Sequence, residues 1–125
     1  MEYNLEGRTL EFSGQIIKVI GKINIDHLNK NIIGQVLRSA TSVGANYREA
    51  NSAISKNDFR NKVYICRKEI NETKYWIELL GKTNLEENIK QDLRQLWKES
   101  QELCWIFNKI CHSLNKGKEK LLQNY

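Results

Sequence analysis

Apolar residues in the C-terminal third return at alternating intervals of four and three: Ile89, Leu93, Leu96, then Leu103, Phe107, Ile110 and Leu114, with Ser100 filling the remaining step. That is the period of an α-helix burying one face. Trp97, Cys104 and Cys111 run beside this column, one heptad apart. The apolar face is therefore wider than a two-stranded coiled-coil seam and suits a bundle helix with neighbours on two sides. Asn84-Leu85-Glu86-Glu87 reads as a capping box and Gly117 as a stop, which predicts a helix over about 85–115 and a mobile tail over 116–125. The same four-three spacing carries Phe59, Val63, Cys66, Ile70, Thr73, Ile77 and Leu80, behind a Ser55 cap, and predicts a helix over about 56–82. Ile32, Val36, Ala40, Val43, Tyr47 and Ala50 predict another over about 26–53, with Asp26 as its cap. Leu10, Phe12, Ile16, Val19, Ile20 and Ile23 predict the first, over about 8–23. Four amphipathic helices with short links predict one all-α domain over 1–125, an up-down-up-down antiparallel four-helix bundle. No proline interrupts any of them.

Residues 38–50, RSATSVGANYREA, are an anomaly within the second helix. Small side chains crowd there, and Gly44 costs roughly 1 kcal/mol against alanine in a helix interior. Ser39, Ala40, Ser42, Gly44 and Ala45 let a neighbouring backbone come close, and the packing offsets that cost.

Composition narrows the class. Of 125 residues, 40% are hydrophobic and 28% charged, which excludes a disordered chain. No apolar run nears the ~18 residues that cross a bilayer. The opening MEYNLEGRTLEF has no basic segment leading into an apolar one, so a cytoplasmic protein is expected. Cys66, Cys104 and Cys111 form no C-x-x-C and read as reduced, buried thiols. Cys111-His112 is a poor ligand pair, because adjacent helical residues point about 100° apart. Glu69-Ile-Asn-Glu72 lacks the histidine that a bundle di-metal site requires. There is no glycine-rich phosphate loop, H-E-x-x-H or G-x-S-x-G. The expectation is a non-enzyme with no cofactor and no metal.

Two features exceed what a core needs. Arg60, Arg67 and Lys74 lie one heptad apart on the third helix and form a basic line, in a chain of net charge +5. Such a line is a candidate nucleic-acid contact, or else a solvated face. No aromatic residue clearly interleaves with it in the sequence, which weakens a base-stacking site. Tyr64, Ile65, Trp76 and Leu79 lie off the third helix's main stripe, and with Trp97 they are candidates for a subunit interface. A wide intramolecular face is the other reading of these five residues.

Residues 37–80 resemble a bacterial four-helix-bundle family first noticed in intervening sequences of 23S ribosomal RNA genes. The resemblance rests on Arg38, Ser42, Val43, Ala45, Asn46 and Glu49, on Ser55, Lys56, Asp58 and Phe59, and on Glu69, Glu72, Thr73, Tyr75 and Trp76. Ile77 stands where the family usually has leucine, and the first helix lacks the family's aromatic-rich opening. The resemblance implies a bundle that assembles as a homopentameric ring without established enzymatic activity. A related branch, the accessory variability proteins of diversity-generating retroelements, is similar in fold and works with a reverse transcriptase and its RNA. The motif residues Arg38, Asn46 and Glu72 are candidates for an interhelical polar network. Breaking a buried Arg38–Glu72 pair would cost roughly 3–5 kcal/mol. The expected function is a homo-oligomeric bundle that binds RNA or DNA or assists a nucleic-acid enzyme such as a reverse transcriptase. The alternative is a protein-interaction scaffold, and neither reading involves a membrane.

Overall fold

The computed structural model describes the backbone of residues 4–123 and the side chains through Lys116. Within it are four helices, α1 Leu5–Ile20, α2 Lys30–Asn51, α3 Lys56–Leu80 and α4 Glu87–Gln123. Each helix start follows from a local device. The Asn4 side chain accepts the Gly7 amide at 3.2 Å, so α1 opens three residues earlier than its apolar spacing predicts. Ser55 accepts the Asp58 amide at 3.0 Å and fixes the start of α3 as expected.

Asp26 does act as a cap, one turn ahead of the regular helix. Its carboxylate accepts the amides of Leu28 and Asn29, each at 2.9 Å, while the Asn29 side chain accepts the Asp26 amide at 2.9 Å. Asn29 also donates to the Asn24 carbonyl at 3.0 Å. These bonds close a turn over residues 27–29 and delay α2 to Lys30. The Asn29 and Leu28 amides hold the Asp26 carboxyl below the usual carboxylate range.

Each helix packs on its sequence neighbours, and α4 closes on α1. Cross-helix partners run in opposite directions at all four seams. Ser13 meets Ala40 across α1–α2, and Cys66 meets Val43 across α2–α3. Glu78 meets Trp97 while Tyr64 meets Asn115 across α3–α4, and Arg8 meets Glu99 while Lys22 meets Asp92 across α1–α4. The bundle is antiparallel throughout.

The core is continuous through all four helices, centred on Phe12, Ile16, Val36, Val43, Ile70 and Phe107. The third and fourth helices bury the columns that spacing predicts, with Phe59, Ile110 and Leu114 partly buried at the margins. Two positions differ. Ile33, not Ile32, fills the core at the start of α2, and Leu10 is 61% exposed on the outside of α1. Buried hydroxyls replace apolar groups at Thr9, Ser39 and Ser100. Each bonds a carbonyl one turn back, at 2.6 Å to Leu5, 2.8 Å to Gln35 and 2.8 Å to Leu96.

The small-residue run of α2 meets α1 at Gly44. A Cβ there would lie 3.2 Å from Thr9 Oγ1 and 3.3 Å from Thr9 Cβ. At Gly14 and Gly34 a Cβ would meet nothing within 4 Å.

Gly117 does not end α4, which continues to Gln123. A lone helical glycine costs only about 1 kcal/mol, too little to stop a helix by itself. The mobile tail expected over 116–125 has a helical backbone through 123, and its remaining residues and the side chains past 116 lie outside the described residues. No described helix is long and apolar enough to cross a membrane.

Candidate nucleic-acid interface

The heptad spacing of Arg60, Arg67 and Lys74 turns all three toward the seam between α3 and α4, not into open solvent. Lys74 Nζ lies 5.4 Å from the centroid of the Trp97 ring on α4. The Arg67 guanidinium lies 5.3 Å from the Tyr64 ring, one turn back on its own helix. Aromatic rings therefore do interleave with the line, contrary to the sequence expectation. Trp97 comes from another helix, and Tyr64 stands among residues assigned to an interface. Arg60 Nη1 donates to Asn57 Oδ1 at 2.8 Å, and its buried Nε has no partner among the described residues.

Polar bridges cross the same seam. Trp97 Nε1 donates to Glu78 Oε1 at 2.7 Å, and the Tyr64 hydroxyl bonds Asn115 Oδ1. Cys104 donates to Asn71 Oδ1 at 3.0 Å. The thiols beneath are buried, and burial pushes Cys66 up to about 12. Cys111 is buried while His112 is exposed, as expected of residues that point apart.

The five residues assigned to a subunit interface divide between two flanks of α3. Tyr64 and Trp97 serve the α3–α4 seam within the chain. Ile65, Trp76 and Leu79 lie on the other flank, with Ile65 36% exposed. Trp76 packs edge-on against Tyr75, centroids 5.1 Å apart, and donates its indole N–H to Glu72 at 3.0 Å.

Arg38 bridges α2 to α3. It donates to Glu72, and to Glu69 Oε2 at 3.0 Å, while Gln35 steadies its Nε at 2.9 Å. The Trp76 indole and Arg38 hold Glu72 below the usual carboxylate range. Two expectations need correcting. Asn46 is not in this network, because it lies eight residues from Arg38, about 12 Å along the axis, and bonds its own helix at Ser42. Glu69 takes its place, with a side chain only 12% exposed. Nor is the Arg38–Glu72 pair buried: the Arg38 head reaches water, so breaking it costs far less than a buried pair would.

The outward face of α4 carries what the sequence reading passed over. Trp105 is 54% exposed, with Lys109 Nζ 4.0 Å from its ring centroid. Arg94, Lys98 and Lys116 share this face at helical spacing, all exposed. Of the acids nearby, Glu87 pairs with Arg94 at 2.8 Å, while Glu99 and Glu102 both grip Arg8 of α1, at 2.7 and 2.8 Å. Glu99 chiefly, with Glu102, raises the Arg8 pKa further. Part of the signal was present in the sequence, since Trp105 falls outside the apolar columns of α4, as does Ile106, which is buried.

An antiparallel four-helix bundle with a basic, aromatic-studded α3–α4 flank is the class that these features define. The pattern of the 23S rRNA-intervening sequence proteins matches residues 4–109, and the chain belongs to that family. Its fold is similar to a crystal structure of a protein of unknown function from the S23 ribosomal protein family of Bacteroides thetaiotaomicron. The two share 34% identity at a TM-score of 0.71, over 85% of this chain and 96% of that one. No curated protein matches the chain.

Proposed function

We propose that this chain is a homo-oligomeric, non-catalytic bundle that binds RNA or DNA, alone or alongside an enzyme that acts on nucleic acid. The observation that carries the reading is the segregation of charge. Ion pairs within α1–α4 and α2–α3 occupy Glu99, Glu102, Asp92, Glu69, Glu72 and Glu49. Arg60, Arg67, Lys74, Lys98 and Lys109 pair with no carboxylate among the described residues. A polyanion would relieve the repulsion among them and release its own counterions.

The test is fluorescence anisotropy with labelled RNA and DNA over a salt series. Affinity should fall linearly with salt on logarithmic axes, by about 0.7 per phosphate contacted on a single strand. Charge reversal at Arg60, Arg67 and Lys74 should weaken binding. No binding at low salt would defeat the proposal.

The scaffold reading draws support from a separate observation. Leu10 and Ile17 are both more than half exposed, one heptad apart on the outside of α1. Isolated exposed apolar residues are ordinary, but a stripe at heptad spacing suits a helix of a second chain. The homopentameric ring implied by the family resemblance would use such a surface. Light scattering should give a mass several times 14.7 kDa, and a monomer would defeat the assembly.

A further inference from the structure

We infer that the outward face of α4 binds single-stranded nucleic acid, with Trp105 as the platform on which a base stacks and Lys98, Lys109 and Lys116 as the phosphate contacts. This inference rests on the nucleic-acid reading above and goes further by naming the surface and the strandedness.

Four observations converge on it. A tryptophan more than half exposed on a four-helix bundle buries too little surface to be explained by its own core. Its ring already holds a cation, the Lys109 ammonium, at 4.0 Å. The face keeps a positive excess, because Glu99 and Glu102 are both bound to Arg8 of α1 and Glu87 is matched by Arg94 at 2.8 Å, which leaves Lys98, Lys109 and Lys116. Finally, α4 continues without a break to Gln123, so the face is an unbroken track. From Lys98 to Lys116 it spans about 27 Å at 1.5 Å per residue.

The arrangement of aromatic and cation fits single strands. An indole can stack only on a base whose face is free, and bases inside a duplex are already stacked. A purely electrostatic surface would take duplex and single strand alike. Trp97, by contrast, is spent in the seam between Lys74 and Glu78. Of these two α4 tryptophans, Trp105 is the one positioned to receive a base.

Anisotropy titrations of a short oligouridylate, and of a duplex of equal length, against full-length protein test the inference. Trp105→Ala should weaken oligouridylate binding by about fivefold to a hundredfold, the worth of one stacked base, and duplex binding much less. Trp105→Phe should retain most of the single-strand affinity. Circular dichroism should show both variants folded, since the side chain is largely outside the core. The charge reversal Lys98→Glu with Lys109→Glu separates the two levels of the proposal. If that pair loses binding while Trp105→Ala binds oligouridylate as the parent does, the platform is wrong and the nucleic-acid reading stands. If the unaltered protein binds neither probe, both fall. If Trp105→Ala changes the mass of the assembly and leaves affinity intact, Trp105 is a subunit contact and the platform is overturned.

Discussion

Thr9 and Gly44 meet across the α1–α2 seam, and that contact limits what Gly44 can become. Thr9 cannot easily give way, because its hydroxyl bonds the Leu5 carbonyl at 2.6 Å and the residue is 1% exposed. Gly44→Ala should therefore forfeit in contact what it gains in helix propensity. Gly44→Leu should destabilise the bundle by roughly 1–3 kcal/mol or more through overpacking. Gly14→Ala and Gly34→Ala meet open space and should each stabilise by about 0.5–1 kcal/mol. Urea unfolding of the four variants measures the contrast, and equal gains at all three alanines would contradict it. The sequence made the small-residue seam legible but not its partner. A threonine in a polar stretch of α1 gives no hint that it is buried against a glycine in the next helix.

Between α2 and α3, one guanidinium holds two carboxylates of unequal exposure. Arg38→Ala should cost about 1–2 kcal/mol, because it strands Glu69, whose side chain is mostly buried. Glu72→Ala should cost under about 1 kcal/mol, as expected of a pair at the water boundary. The pair also has a pH signature. Glu72 is held below its ordinary value, first by the Trp76 indole and then by Arg38. Its contribution to stability is therefore present above the unfolded carboxyl value of about 4.3 and disappears as pH falls through the folded one. Trp76→Phe should move the Glu72 titration, followed by NMR, back toward that ordinary value. No change would remove the indole from the explanation. The elements themselves were legible because their apolar columns keep strict spacing, and the ends were less so. The starts of α1 and α2 depend on Asn4, Asp26 and Asn29, short polar side chains whose cap and turn bonds leave no periodic trace.

At the scale of the whole molecule, the antiparallel bundle followed directly from four amphipathic stretches and short links. The placement of charge did not. Periodicity says which side of a helix is wet, not which neighbour an acid will turn toward, so the pull of Arg8 on Glu99 and Glu102 was invisible. So too was the seam position of Arg67 and Lys74, which needs α4 in place to supply Trp97. The order of packing has a consequence for how the chain reaches this state. Helix contacts at three of the four seams join consecutive elements, and α2 on α3 is the most extensive of them. Closing such short loops costs little chain entropy, so the contact order is low and folding should be fast for the size of the chain. The α1–α4 seam is the exception. Arg8 and Glu99 are brought together across 91 positions, and their ionic clamp gives little reward until both helices exist. The α2–α3 hairpin is thus the natural nucleus, and α1 should dock late. In a φ-value series, substitutions at Val43 and Cys66 should slow folding, whereas Arg8→Ala should chiefly speed unfolding.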